Sequence, residues 1–169
     1  IIKQAKSWFE ENPKLNSFKI LEFTKSLNWD KAFITFYEDT YAIELPINLT
    51  NNVNLSLDKD KSMITFNRLL FLPSKEEKHS FKSYLVNFYA INDSPKLNDK
   101  SININYFNIY NNFSGYITLF DSKNKIVDIK EILKGKEVVK SNLIFAKEDE
   151  DQICIEYGWI YEDGSFEPL

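Results

Sequence analysis

The chain has 169 residues, a net charge of −4 and a composition with 43% hydrophobic and 27% charged residues. This length fits one domain that buries its own core. The chain contains one histidine (His79), one cysteine (Cys154) and one arginine (Arg68), which excludes catalytic and metal-binding constellations that need several of them. Its lysines are scattered between acidic residues, which argues against a nucleic-acid-binding surface.

The N-terminal segment has the periodicity of an amphipathic helix. Its apolar residues recur at i, i+4, i+7 and i+8: Ile1, Ala5, Trp8 and Phe9. The pair Asn12-Pro13 predicts the end of this helix, because the residue before a proline is pushed out of the helical backbone region. Residues 15–27 are predicted to form either a second short helix or an irregular packing segment.

From Lys31 onward the apolar pattern changes to a period of two, which predicts strands. The predicted strands cover residues 32–37, 41–49, 63–72, 81–91, 115–120, 125–129 and 153–161, with weaker ones at 53–57, 137–139 and 143–145. Short polar segments join neighbouring strands as hairpins, and residues 92–105 form a longer polar excursion. Pro46 cannot donate a ladder hydrogen bond, which predicts an edge position or a bulge there.

The sequence therefore predicts an α+β fold, in which the N-terminal helix, alone or with a second one, packs on a bent antiparallel sheet of about six to eight strands. A cystatin-like layout is the first expectation, and a sandwich or half-barrel is the second. Residues 1–169 are predicted to be one domain. Its parts are a helical region (1–30), the sheet (31–147), and an acidic linker with a final strand (148–169).

Four aromatic residues at the end of the polar excursion are the candidate interaction surface: Tyr106, Phe107, Tyr110 and Phe113. Aromatic side chains are enriched at protein interfaces, and they also form platforms for sugars and peptides. Packing in the core is the alternative interpretation of the same four residues.

The remaining reactive residues lack the neighbours that their chemistry requires. His79 lies in a charged loop tip without a predicted orienting partner. The acidic run 148–151 lacks the spaced ligands and the turn glycine of a calcium loop, and Cys154 alternates with isoleucines as a core residue does. We therefore expect no catalytic residue, no metal and no cofactor.

A resemblance rests on fragments that occur in a fixed order. They are the N-terminal Trp/Phe helix and residues 28–32, 44–46, 68–71 and 113–117. In the region up to about Lys140 the chain resembles uncharacterised secreted proteins and lipoproteins of Bacteroidetes. This resemblance implies an exported protein, and it carries over no catalytic residue.

We expect a non-enzymatic, exported protein-interaction module, belonging to a cell-envelope or surface assembly. Its partner is expected to be a protein that binds an exposed strand edge or residues 92–113. One alternative is a small carbohydrate-active or hydrolytic domain that pairs Glu44 with Glu22 or Asp30, since glycoside cleavage needs only two carboxylates. Another is a pro-region or folding module of a longer protein. No run of about 18 apolar residues would span a membrane.

Overall fold

The computed structural model describes residues 1–50, 53–56, 64–91, 104–109, 113–138, 158–161 and 166–168. One α-helix, α1, spans Ile2–Glu11, and two short 3-10 helices lie at Lys19–Phe23 and Trp29–Lys31. The strands of these ranges are β1 (Thr24–Leu27), β2 (Phe33–Tyr37), β3 (Thr40–Leu49), β4 (Val53–Ser56), β5 (Ile64–Pro73), β6 (Phe81–Ala90), β7 (Gly115–Phe120), β8 (Ile126–Leu133), β9 (Lys136–Glu137), β10 (Gly158–Tyr161) and β11 (Phe166–Pro168).

Eight strands form the larger sheet, in the order β1-β3-β5-β6-β7-β8-β9, with β2 pairing on β3 as well. Every pair in it is antiparallel. The predicted α+β architecture, a mainly antiparallel sheet with an N-terminal helix, agrees with this structure. A second sheet, β11-β10-β4, joins distant parts of the chain and was not predicted.

Helix α1 forms where the apolar stripe predicts it and packs its aromatic side on the larger sheet. The ring centroid of Trp8 lies 5.8 Å from that of Phe81, and the ring centroid of Phe9 lies 5.7 Å from that of Phe71. The helix ends at Glu11, and the side chain of Asn12 donates a 2.8 Å hydrogen bond to the Trp8 carbonyl. The amide of Asn12 thus satisfies one of the carbonyls that a helix end leaves open.

Residues 15–27 contain a strand that their sequence pattern did not predict. The 3-10 helix Lys19–Phe23 buries Ile20, and β1 then pairs with the last residues of β3 through an irregular register. The two middle residues of β1, Lys25 and Ser26, are exposed. This strand therefore owes its form to pairing with β3 and not to an apolar alternation of its own.

Pro46 lies in β3, an internal strand, at a place where the ladder on one side is interrupted. β5 pairs with β3 across this region and places Arg68 opposite Pro46. On the other side β2 pairs with β3 only as far as Glu44, and β1 pairs only from Ile47 onward. The predicted edge position is thus wrong for the strand as a whole, but the gap between β1 and β2 accommodates a residue that has no N–H.

The larger sheet is covered on both faces in the described residues. We call the face that packs on α1 the helix face; its buried core includes Ile43, Leu45, Leu69, Phe71 and Leu85. We call residues 104–109 the strap and the opposite face the strap face, whose core includes Ala42, Leu70, Val86, Phe88 and Ile117. Successive residues of a strand point to opposite faces, so β3, β5 and β6 contribute to both cores. No helix in these ranges is long and apolar enough to cross a membrane.

Candidate functional site

The strap is held on the sheet by a buried ion pair. A guanidinium nitrogen of Arg68 in β5 lies 2.7 Å from a carboxylate oxygen of Glu44 in β3. The same nitrogen donates to the carbonyl oxygen of Ile104, and the second oxygen of Glu44 accepts a 2.8 Å hydrogen bond from the backbone N–H of Tyr106. One charged side chain therefore binds a strap carbonyl and the other binds a strap N–H.

Glu44 and Arg68 lie deep in the fold, at 0% and 3% exposure. Burial raises the pKa of the Glu44 carboxyl, although the Arg68 charge, its hydrogen bond and the Tyr106 N–H all act to lower it. The Arg68 guanidinium carbon also lies 5.0 Å from the ring centroids of Phe33 and Phe88. Aromatic faces stabilise a cation that has lost its water, so these rings partly offset the burial of Arg68.

The side chain of Tyr106 connects the strap to a third strand, β8. Its hydroxyl donates a 2.5 Å hydrogen bond to the carboxylate of Asp128 in β8, and the Lys130 ammonium lies 4.1 Å from its ring centroid. Burial raises the pKa of the Tyr106 phenol well above its usual range, and the hydrogen bond to Asp128 and the negative charge of that carboxylate raise it further. The phenol is therefore a hydrogen-bond donor at neutral pH.

The rest of the strap is ordered by local contacts. The side chain of Asn105 accepts hydrogen bonds from the backbone N–H groups of Phe107 at 3.0 Å and Asn108 at 2.7 Å, which closes a tight turn. The ring of Phe107 stacks on Tyr37 of β2 with centroids 3.6 Å apart. The strap thus connects the strap face to the β2 edge of the sheet.

Three of the four predicted interaction residues are described, and they lie in two different environments. Tyr106 and Phe113 are buried in the strap-face core at 8% and 1% exposure, as the core-packing interpretation expected. Phe107 is half-buried against Tyr37. Tyr110 lies outside the described residues. The aromatic interaction surface stays a prediction, and only Phe107 among the three described members presents a partly open ring.

The carboxylates of the alternative hydrolytic site are separated by the sheet. Glu44 is fully buried under the strap, whereas Glu22 and Asp30 are exposed. Their neighbours Leu21 and Trp29 pack on the helix face, opposite the strap. Both oxygens of Glu44 are bound by Arg68 and Tyr106, so its carboxylate meets no substrate in this arrangement.

The other reactive residues divide between the described and the undescribed parts of the chain. His79 is exposed in the β5–β6 turn, in a left-handed conformation with φ 65°, and lines an open cleft of about 420 Å³ with α1 residues that include Trp8 and Glu11. Cys154 and the acidic run 148–151 lie outside the described residues. Within the described ranges, no group of three or more His, Cys, Asp or Glu side chains is placed to hold a metal ion.

The edge strand β2 presents a large exposed apolar side chain. Among the described residues it pairs with β3 alone, and it has no charged residue between Phe33 and Tyr37. Phe36 is 72% exposed, the largest value among the large hydrophobic residues that the structure describes. Because pairs in a hairpin alternate between hydrogen-bonded and non-hydrogen-bonded, every second residue of β2 directs its N–H and C=O away from β3.

Comparison with protein-family models, with curated proteins and with solved structures found no match.

Replacing Tyr106 with phenylalanine is expected to change how stability depends on alkaline pH. In the wild type the folded state keeps the phenol proton above pH 10, where the unfolded chain releases it, so the free energy of unfolding falls by up to about 1.4 kcal/mol per pH unit there. Tyr106→Phe removes this contribution. At pH 8 the free energy of unfolding of Tyr106→Phe should be about 1–3 kcal/mol below that of the wild type, because Asp128 loses its donor. This penalty should shrink as the pH rises from 10 to 11.

Urea unfolding followed by circular dichroism at pH 8, 10 and 11 measures this difference. Tyr41→Phe, which removes a tyrosine hydroxyl on the helix face, is the matched control. A penalty for Tyr106→Phe that stays constant across this range would show that the fold does not raise the pKa of the Tyr106 phenol.

Proposed function

We propose that this chain is a non-enzymatic protein-interaction module that binds an extended segment of a partner protein along the free edge of β2. The observation that carries the proposal is the edge itself: an uncharged strand, unpaired on its outer side among the described residues, with Phe36 72% exposed. Backbone groups of the partner would continue the ladder, and side chains at alternate positions would give specificity.

Edge strands of folded proteins usually carry features that prevent pairing with another chain. Inward-pointing charges, lysines, prolines, bulges and covering loops all serve this purpose. Strand β2 has none of these residue types between Phe33 and Tyr37, and its pairing with β3 is regular over all five positions. An edge of this kind supports a role in which pairing with another chain is the function.

The chemistry of the edge favours an apolar partner segment. The side chains of Ile34 and Phe36 lie on the same face of β2, so a paired strand would place its own alternate residues beside them. Since β2 offers no charge, a partner strand with apolar residues at every second position complements it best. Phe107, stacked on Tyr37 at the other face of β2, extends this apolar contact toward the strap.

The strap favours a binding role over a catalytic role. It occupies the strap face and encloses Glu44 and Arg68, the buried charged pair of the described sheet. We propose that this arrangement stiffens the sheet behind β2, so that the edge is presented without rearrangement.

We further propose an exported location, in the envelope or at the cell surface, and a cystatin-like or half-barrel arrangement of the sheet. The resemblance to secreted proteins of Bacteroidetes supports the location. Fractionation of the source cells with an antibody against this chain tests it, since recovery with cytosolic markers alone would contradict it.

Replacing Phe36 with lysine is expected to abolish partner binding and leave the fold intact. A lysine on a free edge resists strand addition, and a substitution at an exposed site changes the free energy of unfolding by about 0.5 kcal/mol or less. The matched control is Val127→Lys, because Val127 is 53% exposed and lies on β8, near the opposite edge of the sheet. Tagged wild type, Phe36→Lys and Val127→Lys are used to capture partners from the native cell envelope.

A protein recovered with the wild type and with Val127→Lys, but reduced at least tenfold with Phe36→Lys, would support the β2 edge. Amide exchange of the purified complex should then slow at alternate residues of β2. Equal recovery by all three proteins, or a captured partner that leaves the β2 amides unprotected, would overturn the proposal.

A further inference from the structure

Three polar side chains lie side by side in the helix-face core. Asn67 of β5 is directly opposite Asn87 of β6, and Asn87 is directly opposite Thr118 of β7. Their exposures are 5%, 0% and 0%. Leu69, Leu85 and Phe120 each lie two positions from one of these residues on the same strand and belong to the helix-face core. The three polar residues, which we call the polar row, therefore point to the same face.

Each member of the polar row has a buried oxygen without a hydrogen-bond partner among the described residues. These atoms are Oδ1 of Asn67, Oδ1 of Asn87 and Oγ1 of Thr118. The amide nitrogen of Asn87 donates to the Tyr89 hydroxyl at 3.2 Å, which leaves its oxygen directed elsewhere. Folded proteins pair nearly all such atoms. The two amide oxygens require a donor, and the Thr118 hydroxyl can either donate or accept.

The chemistry of the row restricts what that donor is. The amide oxygens only accept hydrogen bonds, so the bound group must donate. The row carries neutral oxygens and no carboxylate, which disfavours a hard cation. Its neighbours Leu69, Leu85 and Phe120 are apolar, and Glu131 of β8, which shares this face, lies opposite Tyr116 and not opposite a member of the row, so a neutral group fits best. Side chains directly opposite each other have Cβ atoms about 5 Å apart, so a group of one or two heavy atoms bridges two of them.

We infer that the polar row is a buried binding site for a small neutral hydrogen-bond donor, namely water or a hydroxyl group of a small molecule. Buried water commonly makes about three hydrogen bonds to polar groups that otherwise lack partners. A hydroxyl-bearing molecule offers the same donor, with its remaining atoms against the apolar residues beside the row. The site is independent of the β2 edge, since it lies between central strands of the sheet.

Thr118→Val tests the occupant through the sign of the stability change. Valine has the shape of threonine without the hydroxyl, so a truly unpartnered hydroxyl makes the variant more stable than the wild type. If the Thr118 hydroxyl is instead hydrogen-bonded to a bound water or small molecule, Thr118→Val is less stable than the wild type. We expect this second result, with the folding equilibrium constant of Thr118→Val about tenfold lower. Thr118→Ser, which keeps the hydroxyl, is the matched control for occupancy.

Two measurements distinguish the two sources of the donor. Nuclear Overhauser effects between solvent and the Thr118 amide proton report long-lived internal water. Native mass spectrometry of the protein as purified, before and after complete unfolding and refolding, reports a bound molecule as a mass excess that is lost. Either signal should be present in the wild type and in Thr118→Ser, and absent from Thr118→Val.

The inference is overturned if Thr118→Val is more stable than the wild type and neither signal is detected. It is also overturned if a crystal structure shows the Asn87 amide turned so that the three side chains bond to one another. A water signal without a mass excess assigns the site to water, and a mass excess that depends on the Thr118 hydroxyl assigns it to a small molecule.

Discussion

Replacing Arg68 with methionine is expected to destabilise the protein by about 3–5 kcal/mol at pH 7, because it leaves the fully buried Glu44 without its counter-charge. It also removes the donor to the Ile104 carbonyl, so the strap loses one of its two attachments to the pair. Chemical unfolding measures the loss. The expected fall is a large part of the 5–15 kcal/mol that holds a typical domain together.

The pH dependence of Arg68→Met identifies Glu44 as the cause. Without Arg68, two of the influences that lower the Glu44 pKa vanish, so the pKa of the buried carboxyl rises further above its ordinary value of 4.5. The folded variant then holds a proton that the unfolded chain releases, and its free energy of unfolding falls as the pH rises above about 4.5. The variant should therefore be closest to the wild type in mild acid and furthest from it near neutrality.

The double variant Glu44→Leu, Arg68→Met is the control for this interpretation. Replacing a buried ion pair with apolar residues of similar size is often neutral or stabilising. Here it also leaves the Ile104 carbonyl and the Tyr106 N–H without their partners, so the double variant should recover part of the lost stability. It should also lose the added dependence on pH. If the double variant is as unstable as Arg68→Met, the cost comes from the lost strap hydrogen bonds or from disturbed packing, and not from an uncompensated carboxylate.

Replacing Gly115 with alanine is expected to cost about 3 kcal/mol or more. Gly115 begins β7 with φ 152°, and its β6 partner is Ala90. A Cβ at this position would overlap the carbonyl oxygen of Tyr89 and come within 3.2 Å of the Ala90 Cα. Backbone of a central strand cannot move aside as a flexible side chain does, so dihedral strain and steric overlap both contribute.

Gly135→Ala separates these two contributions. Gly135 also has a positive φ, of 76°, but it lies in the turn between β8 and β9. There the left-handed backbone costs alanine about 1 kcal/mol. Thermal and urea unfolding of both variants give the comparison. A loss for Gly115→Ala no larger than that for Gly135→Ala would contradict the overlap with the Tyr89 carbonyl.

Local periodicity predicted the elements whose form depends on neighbouring residues. Helix α1 and the hairpins β2–β3 and β5–β6 appear close to their predicted positions. In each, an apolar stripe or alternation agrees with a turn or stop signal at its end. Strand β1 and the three-stranded sheet were missed because their pairing partners are distant or irregular, and no local pattern encodes them.

Local periodicity could not locate the candidate site. In β3 the sequence showed one apolar face, with Glu44 on the other, which is the pattern of a strand that is open to solvent on one side. The strap covers that second face, so the glutamate is buried and requires Arg68, which lies 24 residues away. Likewise, the aromatic pattern of Tyr106 and Phe113 does not distinguish an interface from a core, and their burial was decided by the strap and the sheet together.

The sequence by itself determined an α+β chain with an N-terminal helix and a mainly antiparallel sheet, because period and turn residues are properties of adjacent positions. Only the tertiary structure decided that Glu44, Arg68 and Tyr106 form one buried cluster, that Phe36 stands on an unpaired edge of the described sheet, and that Asn67, Asn87 and Thr118 line up in the core. The physical reason is that a residue's burial and partners depend on strand order and on what covers each face, and both are set by contacts between residues far apart in the chain.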